Sequence, residues 1–241
     1  MSITFSKAKL QGFYKLTRIR TIMEFYPILI VLGFVATKSA INLYSIITTI
    51  SILLTLVAAF IINDVVDSDD DAKDPKKVNR NPISAGIISK QEGFNFYLLF
   101  AAVGVLILLF INLHTLLLGI ITTVIGYLYS AKPIRLKSRP IVDLLSHGFF
   151  LAAAIVLMFT YLPNATVSIN TRLIVAGVYL FSMGGDLYNE LRDWVVDRET
   201  GLKNTSHFLG IKASKLLSYI LYTLGIGLCA YAALANLVNL Y

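Results

Sequence analysis

Charge is scarce in this chain and cysteine nearly absent: Asp, Glu, Lys and Arg make up 15% of 241 residues, and Cys229 stands alone. A single cysteine cannot close an intrachain disulfide, so no such framework holds the fold and nothing follows about redox compartment. The three histidines, His114, His147 and His207, are too scattered to point to a zinc site. No Gly-rich loop ending in Gly-Lys-Ser/Thr, no His-Glu-x-x-His and no Gly-x-Ser-x-Gly elbow occurs, which removes P-loop, zinc-protease and serine-hydrolase readings. Acidic residues are missing from the segments 38–42, 111–115 and 163–170.

Apolar residues are abundant instead, 56% of the chain with a mean hydropathy of +0.73. Seven apolar stretches run at about 22–40, 42–62, 94–112, 114–130, 141–162, 171–190 and 216–240. Each approaches the roughly 20 residues needed to cross a hydrocarbon core of about 30 Å. Helices satisfy their own backbone hydrogen bonds, so the expected architecture is an all-α polytopic transmembrane bundle of about seven spans, one domain over 1–241. The first stretch is too long for a signal-peptide core and is followed directly by another, so no cleaved signal is expected. Residues 1–20 set Phe5, Leu10, Phe13, Tyr14 and Leu16 among basic residues and read as an interfacial lead-in.

The net charge of +7 invites a nucleic-acid reading, but its distribution opposes one. Nineteen of the 21 Lys and Arg residues lie before the first span or in the 63–93, 131–140 and 191–215 connections, all on one side if seven helices alternate. Only Lys38 and Arg172 fall on the other side. The positive-inside rule places the N-terminus and the basic side in the cytoplasm and the C-terminus outside. The fourteen acidic residues also keep to that side. Acidic residues contribute little to orientation, so their concentration there suggests a site at the cytoplasmic mouth.

Two acidic stretches stand out. Asn63-Asp64-Val65-Val66-Asp67-Ser68-Asp69-Asp70-Asp71 repeats polar residues every four positions, with Asn63, Asp67 and Asp71 on one helix face spanning about 12 Å of rise and Asp64 alongside. Asp186, Glu190, Asp193 and Asp197 follow at steps of four, three and four, within an arc of about 60° on a continuous helix. Carboxylates beside lipid need compensating charge. Magnesium prefers such oxygens and completes its octahedron with waters and substrate phosphates. The plainer readings are a solvated acidic loop for the first stretch and a surface helix paired with Arg192 and Arg198 for the second. An EF-hand counted from Asp67 would put Ala72 and Val78 where Gly and Glu are needed, so that reading fails.

Each stretch runs from a helix end into a cytoplasmic connection, 63–93 or 191–215, expected as a loop that caps the bundle. Each connection carries a similar string, Asn81-Pro82-Ile83-Ser84-Ala85-Gly86-Ile87-Ile88-Ser89-Lys90 in the first and Asn204-Thr205-Ser206-His207-Phe208-Leu209-Gly210-Ile211-Lys212-Ala213-Ser214-Lys215 in the second. The repeat suggests pseudo-duplicated halves with a site between them.

The first stretch resembles the Asn-Asp-x-x-Asp-x-x-x-Asp signature of the UbiA-type intramembrane prenyltransferases. Asn79-Arg80-Asn81-Pro82-Ile83-Ser84-Ala85-Gly86 is close to the family's Asn-Arg-Pro-x-x-Ser-Gly, and Glu190 to Gly201 resembles its second acidic signature. The basic turn Tyr129-Ser130-Ala131-Lys132-Pro133-Ile134-Arg135-Leu136-Lys137 is similar to the family's loop between helices four and five. The resemblance implies Mg2+-dependent transfer of an isoprenoid chain from an allylic prenyl diphosphate, through an allylic carbocation, to a lipophilic acceptor. That acceptor would be a quinone precursor, a glyceryl-ether lipid phosphate or a carotenoid- or chlorophyll-type molecule. It implies a metal and diphosphate set of Asn63, Asp67 and Asp71 with Asp193 and Asp197, and with Asp64, Asp186 and Glu190 as supports or further metal ligands. Arg80, Lys132, Arg135 and Lys137 become candidate diphosphate partners, and Tyr129 and Tyr188 candidate cation-stabilising rings. The family usually has nine spans, so a shorter bundle is expected here, with a homo-oligomer or a partner helix filling the C-terminal gap. Two other classes compete: a non-catalytic, metal-dependent carrier of lipid diphosphates, and a cation transporter, which the few polar residues at mid-membrane depth oppose.

Overall fold

The computed structural model describes residues 6–238, and among these every regular element is helical. In chain order they are α1 (Lys7–Leu16), α2 (Ile19–Phe25), α3 (Pro27–Thr37), α4 (Leu43–Asp71), α5 (Pro75–Val78), α6 (Lys90–Leu106), α7 (Leu113–Ser130), α8 (Val142–Gly148), α9 (Ala154–Thr160), α10 (Ile169–Arg192), α11 (Trp194–Glu199), α12 (Thr205–Leu209) and α13 (Ile211–Val238). A 3-10 turn, Ile107–Phe110, extends α6, a second, Leu136–Ser138, lies between α7 and α8, and a π-helical turn, Phe149–Ala153, joins α8 to α9.

Five continuous helical stretches among the described residues are long and apolar enough to cross a membrane: Leu43–Asp71, Lys90–Phe110, Leu113–Ser130, Val142–Thr160 and Ile211–Asn236. The bent pair Lys7–Phe25 and Pro27–Thr37 makes a sixth if counted as one. The protein is an integral membrane protein with an all-helical bundle. The expected sixth stretch, 171–190, lies in the long helix α10, which is less apolar because it carries Arg172, Asp186, Glu190 and Arg192.

Helix starts follow the sequence closely. Asn42, Ser89, Asn112 and Ser168 cap α4, α6, α7 and α10, each side chain accepting from a backbone N–H three residues on. Two boundaries differ from expectation. The stretch 22–40 is not one straight span: the chain bends by 48° where Pro27 opens α3, since proline suits a first helical turn but not a helix interior. The first acidic stretch is not loop either, because α4 continues to Asp71. The returning connection packs against this end and adds a second donor to two of its carbonyls, Asn81 Nδ2 to that of Asp64 at 2.8 Å and Ser84 Oγ to that of Ser68 at 2.8 Å. In the lead-in, Leu16 is fully buried while Leu10 and Tyr14 are exposed, and residues 1–5 lie outside the described region.

The halves are built alike. In the first, α4 packs along α6; in the second, α10 packs along α13 in the most extensive helix contact of the molecule. Glycines permit the latter approach. A Cβ on Gly225 would lie 2.7 Å from the Gly177 carbonyl oxygen and 2.7 Å from the Phe181 nitrogen, so the backbones nearly touch, as small residues allow between membrane helices. Gly225→Ala should therefore lower the thermal unfolding temperature of the protein in lipid nanodiscs, by the equivalent of about 1–3 kcal/mol for a forced separation. Gly227→Ala, whose Cβ would meet nothing within 4 Å, should leave it unchanged.

Candidate active site

At one end of the bundle, α4, the 131–140 turn, the C-terminal part of α10, and α11 surround a cleft of about 240 Å³. Its walls include Asn63, Asp67 and Asp71 from the first acidic stretch and Asp186, Glu190, Asp193 and Asp197 from the second. Arg80, Arg135, Lys137 and Tyr129 also line it. Residues separated by more than a hundred positions thus meet in one place.

The first wall is helical, so the four-residue spacing delivers Asn63, Asp67 and Asp71 to one face. Lys137 donates to Asp67 Oδ2 at 2.5 Å and to Asn63 Oδ1 at 3.0 Å, and Ser130 donates to the same Asn63 oxygen at 3.1 Å. Arg135 reaches Asp67 at 3.2 Å and Asp70 at 3.4 Å. Arg135 itself sits at φ 41°, and the fold holds this non-glycine residue in the left-handed region where the basic turn folds over the acidic helix.

The second wall differs from the continuous helix expected. α10 ends at Arg192, Asp193 sits in the break at φ −94° and ψ 8°, and a new short helix begins at Trp194. Asp193 and Asp197 therefore stand on a separate segment from Asp186 and Glu190, yet all four still reach the cleft. Lys77, on α5 in the first half, bonds Asp193 at 3.4 Å. The Tyr129 hydroxyl donates to Asp186 at 3.1 Å, and His147 Nε2 lies 3.6 Å from the same carboxylate. Glu190 accepts the Ser206 N–H at 2.7 Å, and the fully buried Asp143 accepts the Thr205 N–H at 2.5 Å; together they hold the start of α12.

Three residues singled out from the sequence are placed elsewhere. Asp64 turns away from the cleft and is clasped by Arg18, whose Nε donates to Oδ2 at 3.1 Å, tying the α1–α2 junction to α4. Tyr188 is exposed and Lys132 lies on the outer side of its turn; neither is among the lining residues. Sequence reasoning passed over Lys77, Arg18, Asp70, Asn189 and Asn204, which do line the cleft. Asp70 lies within the acidic signature and Lys77 six residues beyond it, and that proximity is the signal that could have raised them.

The donor set suits a hard divalent cation. Asn63, Asp67, Asp71, Asp193 and Asp197 offer oxygen, and Cys229 lies away on α13. Among the described residues, no three of His, Cys, Asp and Glu are gathered tightly enough to enclose an ion alone. Magnesium habitually keeps waters and borrows phosphate oxygens, so two facing carboxylate pairs fit an ion shared with a bound phosphate ester.

The fold and site are those of a membrane helical bundle with an Asp-x-x-x-Asp pair from each half, and several cations, around one cleft. The chain belongs to the UbiA prenyltransferase family, whose model matches residues 25–241. It is 31% identical over 157 residues to a lycopene elongase/hydratase from Haloarcula japonica, covering 62% of this chain and 49% of that protein. A 4-hydroxybenzoate octaprenyltransferase from Francisella tularensis subsp. novicida is 25% identical over 178 residues, covering 74% of this chain and 60% of the relative. The chain thus spans about half the length of the lycopene elongase/hydratases it matches, 49% and 47% for two of them. A UbiA homologue from Archaeoglobus fulgidus bound to GPP and Mg2+ superposes with a TM-score of 0.77 at 25% identity, over 92% of this chain and 77% of that one.

Burial and the neighbouring Asp193 push the Asp197 carboxyl up to about 6. Its ordinary value is about 4, so between those limits the folded protein binds a proton that the unfolded chain releases. Stability from this group is greatest at low pH and falls as pH rises through 6. In metal-free protein, Asp197→Asn should raise the unfolding temperature at pH 8 and leave it unchanged below pH 4, measured by thermal unfolding across pH.

Proposed function

We propose that the protein transfers an isoprenoid chain from an allylic prenyl diphosphate to a lipophilic acceptor. The observation that carries this reading is the convergence of Asp67 and Asp71 with Asp193 and Asp197 around one cleft that also holds Lys77, Arg80, Arg135 and Lys137. The acidic pairs would hold Mg2+, as the donor chemistry and the Mg2+-bound Archaeoglobus homologue support. Bound there, the ion would neutralise the diphosphate and make it a better leaving group.

The chain's own residues supply the rest. Lys137, Arg135 and Lys77 already rest on carboxylates and are within reach of an anion entering between them. Charge-assisted bonds from these cations favour diphosphate over neutral ligands. Tyr129 lies between the cleft and the apolar interior, its ring 5.2 Å from that of Phe150. Such faces stabilise an allylic cation without trapping it, and a dry interior keeps water from quenching it.

Likeness to lycopene elongase/hydratases supports an acceptor of the carotenoid class ahead of a quinone precursor. By the positive-inside rule the cleft faces the cytoplasm.

Purified protein in lipid nanodiscs should transfer a labelled prenyl group from its diphosphate only when Mg2+ is present. Asp67→Asn and Asp193→Asn should each reduce transfer at least 100-fold while leaving the thermal unfolding profile cooperative; full activity in both would sink the assignment. Single-turnover incubation separates enzyme from carrier: released pyrophosphate marks an enzyme, and intact recovery of the donor marks a carrier.

A further inference from the structure

The two Asp-x-x-x-Asp pairs are held by the same division of labour. In each, the first carboxylate rests on a lysine: Asp67 on Lys137 at 2.5 Å and Asp193 on Lys77 at 3.4 Å. In each, the second carboxylate accepts from an asparagine amide instead. Asn81 Nδ2 donates to Asp71 Oδ2 at 3.0 Å, and Asn204 Nδ2 donates to Asp197 Oδ2 at 3.2 Å.

Neither asparagine is free to leave. Asn81 is fully buried, and its Oδ1 accepts the Ile83 N–H at 3.0 Å. Asn204 is 1% exposed, and its Oδ1 accepts the His207 N–H at 3.1 Å and the Ser206 hydroxyl at 2.9 Å. The spacing from carboxylate to amide differs, ten residues in one half and seven in the other. Even so, each asparagine opens the repeated string of its connection. The same contact has been reached across different loop lengths.

The chemistry explains why an amide serves here. A lysine on a carboxylate neutralises it and competes with an incoming cation, so it must move when metal binds. An amide N–H carries no net charge and occupies one carboxylate oxygen, so the other can serve a cation. Neutral donors of this kind fix the orientation of metal-ligating groups.

We propose that Asn81 and Asn204 are equivalent positioning residues, each aiming the second carboxylate of its pair at a divalent cation in the cleft. The inference rests on the reading of this cleft as a metal–diphosphate site. Lost outer contacts of this sort typically weaken metal binding about 10- to 100-fold.

The test uses the full chain in nanodiscs and Mn2+ alone as the probe, with free Mn2+ followed by electron paramagnetic resonance. Asn81→Ala and Asn204→Ala should each raise the Mn2+ dissociation constant at least about tenfold. In Asp71→Ala protein, Asn81→Ala should add no further loss, and in Asp197→Ala protein neither should Asn204→Ala; a role confined to folding would add in both. Because alanine also removes the acceptor of the following turn, Asn81→Ser and Asn204→Ser serve as second variants, whose hydroxyl can accept from that turn but is too short to reach the aspartate. They should fold as wild type and still bind Mn2+ more weakly. Well-folded variants within twofold of wild type, or fully additive losses, would overturn the positioning role and leave the metal site standing. Wild-type protein that binds no Mn2+ would overturn the metal reading and this inference with it.

Discussion

Carboxylates at the membrane end of a helical bundle are costly, and the structure around the cleft is organised by how that cost is offset. Burying a charge is tolerable only with paired charge or hydrogen bonds. Here every carboxylate that lines the cleft has such a partner. Lys137 and Arg135 answer Asp67, Lys77 answers Asp193, Tyr129 answers Asp186, and backbone or amide N–H groups answer Glu190, Asp71 and Asp197. The basic turn after α7, the short helices α5, α11 and α12, and the bent N-terminal helices all bring a partner to that end or hold one in place.

The pairing also relates the halves to each other. α4 with α6 and α10 with α13 are parallel solutions to the same packing problem, and each delivers an acidic pair to the same end. The second pair packs more closely because Gly177 and Gly225 let the backbones approach. Duplication explains why two weakly similar strings in the sequence end in the same contact between an asparagine and an aspartate.

Much of this was legible beforehand. Long apolar stretches marked the helices because lipid demands them, and four-residue spacing correctly placed Asn63, Asp67 and Asp71 on one face. The rest depended on tertiary contacts that spacing cannot carry. A run of aspartates can be read as loop, and the sequence does not show that Asn81 and Ser84 fold back onto the end of α4. The steps of four, three and four from Asp186 to Asp197 fit a continuous helix, and only the structure reveals the break at Asp193. Asp64 belongs to the same motif as Asp67 and lies only about 60° from it around the helix, so spacing could not show that Arg18 claims it. Tyr129 and Tyr188 were indistinguishable as aromatics near the membrane end; only Tyr129 faces inward.

Lys77 belongs to the first half and Asp193 to the second, so their ion pair is a strap across the mouth of the cleft. An anion that captures Lys77 unfastens that strap and at the same moment offers its own charges to both sides. The resting molecule is thus joined between its halves by its own side chains, and under the proposed function the loaded one would be joined by its cargo.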